Sequence, residues 1–161
     1  MIKTFFIFFF LTFFFNNSAV KAADTGPPPI IIRKSDPIYA DAKQLVKDKK
    51  FSEAAVMLEA ILNDNKNANN PDILNDYGYS LRKIKQYEKA EKYYLAALKI
   101  NPNHAGANEY LGELYLETQR PELAKKRLEV LKSCNCDEFK LLKANIDRYK
   151  PDAPFVPTSS W

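Results

Sequence analysis

Between residues 37 and 150 apolar side chains recur at helical spacing, and β-branched runs with a period of two, the mark of strands, are absent. The clearest stretch is Leu74 to Pro102. There Leu74, Tyr77, Gly78, Leu81, Ala90, Tyr94, Ala97 and Pro102 are spaced as two closely packed antiparallel helices require. Small residues stand where two backbones approach, and large ones where a gap must be filled. Boundaries are written in the punctuation. Asn70-Pro71 and Asp36-Pro37 each pair a capping side chain with a ring-fixed first helical residue. Ile100-Asn101-Pro102-Asn103 ends a helix, because proline disfavours helical geometry in the residue before it and has no N–H to donate. Pro121 opens another. The pattern predicts helices over 37–48, 51–63, 71–84, 87–100, 104–118 and 121–133. A seventh follows over 137–150, with Phe139, Leu142, Ile146 and Tyr149 along one face and Lys140, Lys143, Asp147 and Lys150 among the other positions.

The pattern also repeats. Gly112 lies 34 residues beyond Gly78, with Leu111 before it, Tyr115 after it, and then Ala124, Leu128 and Leu131. Upstream, Phe51-Ser52-Glu53-Ala54 aligns with Tyr87-Glu88-Lys89-Ala90 at a step of 36 residues and recovers Ala42, Leu45, Ala54, Leu58 and Ile61. One two-helix unit cannot bury its apolar stripe alone, so repetition at this period implies stacking. On these residues, the span 35–133 resembles the tetratricopeptide repeat family, as an exported bacterial member. It departs from the family at Ala42, where the pattern has glycine, and in the longer exit loop over 63–70. The resemblance implies an all-α fold: a right-handed superhelical array of about three helix-turn-helix repeats over 35–70, 71–104 and 105–136. A capping helix over 137–150 completes a single domain of residues 36–150.

The flanks read differently. Met1 to Ala22 has the form of a secretory signal: Lys3, an apolar run from Phe5 to Phe15, and Val20-Lys21-Ala22 before a cut between Ala22 and Ala23. Asn16-Asn17 interrupts the run before the roughly 18 apolar residues a membrane span needs. No cysteine follows the run, which excludes a bacterial lipoprotein. The expected location is the periplasm of a Gram-negative cell, with no membrane span after cleavage; a leader left uncut makes the protein a membrane-anchored assembly factor instead. Residues 23–35, with Gly26-Pro27-Pro28-Pro29, read as an extended linker. Residues 151–161 hold three prolines and no periodicity, so a disordered tail is expected, with Phe155, Val156 and Trp161 as the residues able to form a short docking peptide.

Charge and chemistry narrow the function. Losing Lys3 and Lys21 with the leader lowers the formal net charge from +4 to +2. The basic cluster Arg82, Lys83, Lys85, Lys89 and Lys92 is interleaved with Glu88 and Glu91, unlike the uninterrupted basic face that nucleic acid requires. Cys134 and Cys136 flank Asn135 and form a candidate disulfide, which an oxidising compartment favours. Their tight spacing also admits an accessory role in thiol-disulfide exchange. His104 is the sole histidine and stands at a helix start; with two cysteines it does not complete a zinc site. No nucleophile has a recognisable base, and four glycines form no phosphate loop. No metal, cofactor, small-molecule substrate or enzymatic activity is expected.

What remains is a binding surface, and the family resemblance implies which one. The first helix of each repeat lines a concave groove, with positions 2, 5, 9 and 12 pointing inward. Carried onto this chain, the groove takes Tyr39 and Lys43 from the first repeat, Asp72, Asn75, Tyr79 and Arg82 from the second, and Glu109 and Glu113 from the third. Tyrosine and arginine are frequent hot spots, so Tyr39, Tyr79 and Arg82 stand out. The lysines and asparagines of the carboxylate-clamp subfamily are not reproduced. The expected partner is another protein, presented as an extended peptide or a helix.

Overall fold

The computed structural model describes residues 37–64 and 67–158. The leader, the linker, Asp36, Asn65, Lys66 and the last three residues including Trp161 lie outside the described residues. Among the described residues seven helices run in order: α1 (Pro37–Lys47), α2 (Phe51–Asn63), α3 (Pro71–Lys83), α4 (Tyr87–Ile100), α5 (Ala105–Glu117), α6 (Pro121–Leu131) and α7 (Asp137–Arg148). No strand occurs among the described residues.

Helices pair as α1 with α2, α3 with α4 and α5 with α6, and the pairs stack through α2 on α3 and α4 on α5. The side-chain sizes explain the closeness. Ala42, Ala54, Ala90, Ala97, Ala107 and Ala124 are fully buried where helices cross, while Tyr39, Tyr77, Tyr94, Leu58, Leu81 and Leu111 fill the spaces between. Gly78 is a close approach within the second pair: a Cβ there would lie 2.9 Å from the Tyr94 ring and 3.3 Å from the Ala90 carbonyl oxygen.

Two helix starts are fixed by side chains. Asn70 Oδ1 accepts from the amides of Asp72 (3.0 Å) and Ile73 (3.3 Å), which caps α3 as its sequence predicts. His104 Nδ1 accepts from the Ala107 amide at 3.1 Å, which leaves its Nε2–H to donate to Asp72 Oδ1, also 3.1 Å away. The one histidine therefore caps α5 and ties it to the start of α3.

The turns inside the pairs hold a feature that composition hides. Lys49, Lys85 and Gln119 all have positive φ (58°, 63° and 59°) just beyond α1, α3 and α5. Each turn closes identically: the next amide bonds five residues back, Lys50 to Leu45 (2.9 Å), Gln86 to Leu81 (2.9 Å) and Arg120 to Tyr115 (2.6 Å). This is the left-handed helix end that usually takes glycine, and a side chain there costs roughly 1–2 kcal/mol. The three positions stand 36 and 34 residues apart, so the backbone carries the same period as the side chains.

α7 packs on α5 and α6 and closes the array. Its Leu142 is fully buried against Gly112, and so is its Asn145, a polar residue in the middle of the helix. Between α6 and α7, Cys134 and Cys136 are joined in a disulfide with a Cα separation of 5.2 Å. Residues 151–158 leave α7 through a turn at 151–153 and continue without helix or strand, and Phe155 packs against the core.

Candidate functional site

The first helices α1, α3 and α5 touch in series, so the predicted groove positions do share one region of the molecule. Their exposure corrects the expectation. Tyr39, Asn75, Tyr79, Arg82, Glu109 and Glu113 are each 5% exposed or less, and only Lys43 and Asp72 are half-buried. The physical reason is close stacking of the first helices, which sets Tyr39 of α1 against Asp76 of α3 and Arg82 of α3 against Glu113 and Glu117 of α5.

At the N-terminal end, the Tyr39 hydroxyl donates to Asp76 Oδ2 at 2.5 Å, and Asn75 Nδ2 donates to Asp76 Oδ1 at 3.2 Å. Burial pushes the Asp76 carboxyl up to about 6 despite the Tyr39 hydrogen bond that favours its charge. Lys43 holds its ammonium 5.8 Å from the Tyr39 ring centroid.

At the C-terminal end, Arg82 is the centre. Its guanidinium lies 5.5 Å and 5.7 Å from the ring centroids of Tyr79 and Tyr110, which themselves pack 4.8 Å apart. Nη2 stands 2.8 Å from Glu113 Oε2, off the line of a hydrogen bond, and Nη1 donates to Glu117 Oε1 at 3.1 Å. Glu113 also accepts from Asn145 Nδ2 of α7 at 2.7 Å. Thus one cation and a cap-helix amide share the carboxylates of α5.

Glu109 sits one turn before Glu113, and its Oε1 is buried without a hydrogen-bond partner among the described residues. Burial first, then the charges of Glu113 and Glu138, push its carboxyl up to about 8. The folded state therefore keeps a proton that the unfolded chain releases near the ordinary carboxyl value of ~4.3. With both Glu109 and Asp76 raised, the contribution to stability is complete below about pH 4 and fades as pH climbs toward 8. Glu109→Gln keeps the shape and removes the titration. The Tm of this variant relative to the native chain is expected to rise from pH 5.5 to pH 8.5 by calorimetry, at about 4–8 °C per kcal/mol relieved. A constant difference across that range refutes the buried proton.

Sequence reasoning missed Asp76, Tyr110, Glu117 and Asn145. Glu117 was legible: Glu109, Glu113 and Glu117 recur every four residues and so share one face of α5. Asn145 carried no local signal.

Comparison with known proteins places the match at the second repeat. The tetratricopeptide repeat profile fits residues 71–104, the pair α3–α4 with its exit turn. Over 67 residues the chain is 33% identical to the human protein O-mannosyl-transferase TMTC3 and 34% identical to its mouse counterpart. Each match covers 42% of this chain and 7% of that protein. With the profile seated on α3–α4 and helix pairs stacked on both sides of it, residues 71–104 form a tetratricopeptide repeat, and the seven helices of the described residues fit an array of that kind.

Proposed function

We propose that this protein is a non-catalytic scaffold that holds another polypeptide, as a peptide or a helix, against the side formed by α1, α3 and α5. The observation that supports it is the alignment of three first helices in series, with Lys43 and Asp72 partly exposed at one end and Lys83 and Lys85 exposed at the other. Tetratricopeptide repeats generally serve protein interaction, and charges of both signs around buried tyrosines suit a polar peptide backbone. The buried residues Tyr39, Asn75, Tyr79, Arg82, Glu109 and Glu113 act in this reading by setting the shape of the face. Export to the cell envelope belongs to the same proposal and rests on the leader-like features of residues 1–22, outside the described residues. No helix among the described residues is long and apolar enough to cross a membrane.

Crosslinked capture of partners from the producing cell tests this. The charge reversals Lys43→Glu and Asp72→Lys together are expected to lower capture about tenfold, equivalent to ~1.4 kcal/mol. Reversal of the exposed Lys125 and Lys126 on α6 serves as the control. Equal capture by both variants rejects the inner face.

A further inference from the structure

Resting on that reading, we propose that the chain's own segment Pro154–Pro157 is a resident occupant of the C-terminal end of the binding face. The partner taken there is then an extended peptide with an aromatic residue between prolines, which displaces the segment.

The argument starts from the tail's sequence, Asp152-Ala153-Pro154-Phe155-Val156-Pro157. Pro154 and Pro157 fix their own φ and bias Ala153 and Val156 toward extended geometry, so the segment pays little entropy when held. After α7 the chain turns, with the Ala153 amide bonding the Lys150 carbonyl at 3.3 Å, and runs back along the ends of α3 and α5. There Pro154 to Pro157 face Arg82, Lys83, Lys85, Tyr87 and Glu117 across a cavity of about 360 Å³. A second cavity of about 380 Å³ lies on the α5 side, bounded by Leu116, Glu117, Gln119, Tyr149 and Phe155. The tail thus bridges a trough and leaves space on both sides of itself.

Its attachments are few and specific. The Phe155 ring meets Tyr149 edge-on at 5.9 Å and packs against the core. Arg148 Nη2 donates to the Val156 carbonyl at 3.3 Å. Thr158 donates twice to Asn145 Oδ1, from its amide at 3.1 Å and its hydroxyl at 2.8 Å. Asn145 in turn donates to Glu113, so the tail's anchor is wired to the buried Arg82 centre. Val156, by contrast, is 74% exposed and contributes little burial. A single ring and a few hydrogen bonds hold the segment mainly because it is tethered, and tethering supplies an effective concentration of order millimolar. A longer peptide of the same chemistry that fills the two cavities makes more contacts than the tail does.

The test is fluorescence anisotropy of a labelled synthetic peptide with the sequence of residues 150–158, titrated with three full-length chains. Native protein is expected to bind weakly, since its face is occupied. Phe155→Ala disables the resident ring and is expected to bind up to roughly tenfold tighter, the most that freeing a face nine-tenths occupied can give. Arg148→Ala, an exposed change that only loosens the clasp, is expected to shift affinity the same way by a smaller factor, and it decides the matter should Phe155→Ala fold poorly. Equal affinity for native and Arg148→Ala or Phe155→Ala chains overturns the resident occupant. Binding to none of the three overturns the peptide chemistry, yet leaves the Lys43 and Asp72 result untouched, so the two readings fail separately.

Discussion

Replacing Arg82 with alanine is expected to cost about 3–5 kcal/mol of folding stability, the range for removing one partner of a buried ion pair. Against a total of roughly 5–15 kcal/mol for an ordinary domain, that leaves the chain close to unfolding. The size follows from what is left behind. Glu113 has a fully buried side chain and Glu117 is only 12% exposed at its side chain, so removing the guanidinium strands one carboxylate in a dry site and another near it. Burial already pushes Glu117 above the usual carboxyl range while Arg82 pulls it back, so loss of Arg82 drives it further toward the neutral form. The rings of Tyr79 and Tyr110 also lose the cation they face. Arg82→Met separates charge from volume: it refills the space between the rings yet still strands the carboxylates, and is expected to recover only the packing share. Adding Glu113→Gln and Glu117→Met to it removes the stranded charges, keeps an acceptor for Asn145 Nδ2, and is expected to restore most of the stability. Urea unfolding followed by circular dichroism reads all three. A loss under about 1 kcal/mol for Arg82→Ala, the value of a surface pair, shows that the centre is open to water.

That centre marks where reading the chain stopped short. The helices themselves were legible because their signals are local: Asn70-Pro71, Pro121 and the alternation of alanine with tyrosine or leucine fix both ends and phase. Six helix starts match the expected residue, and the seventh, α5, begins one residue later because His104 serves as its cap. Predicted ends run one to two residues too far at α1, α3, α5, α6 and α7. At the first three, the left-handed residue that turns the chain is lysine or glutamine, which carries none of glycine's signal. Groove residues were located on the right helices but assigned the wrong surroundings. A polar side chain at an inward position looks the same in sequence whether it meets water or a charge from a neighbouring repeat, and Arg82 and Glu113 stand 31 residues apart. The tail's contacts are hidden from sequence for a related reason. Prolines without periodicity exclude a helix, but they also stiffen an extended length of chain, and only Asn145 on α7 and Tyr149 just beyond it reveal that it has somewhere to lie.

Gly112 and Leu142 should show a reversal of sign. Within a helix interior, glycine to alanine ordinarily stabilises by about 0.5–1 kcal/mol. At Gly112 the added Cβ would sit 2.6 Å from both methyls of Leu142 and 3.2 Å from its Cγ, and Leu142 is fully buried, so its side chain would have to move within the core. Gly112→Ala is therefore expected to destabilise by about 1–3 kcal/mol, the cost of overpacking, by lifting α7 from α5. Leu142→Ala is expected to cost about 2–5 kcal/mol by leaving a cavity at the same spot. In the double variant the new methyl enters the space the leucine vacated, so Gly112→Ala becomes neutral or stabilising in that background. The coupling between them should reach roughly 1–3 kcal/mol in the compensating direction. Gly78 provides the contrast. There the obstacle is the Tyr94 ring of its own helix pair together with the Ala90 carbonyl oxygen, so Leu142→Ala leaves the cost of Gly78→Ala unchanged. Additive losses at Gly112 and Leu142, measured by urea unfolding, would mean that α7 does not seat its leucine on that glycine, and that the array is closed by some other contact.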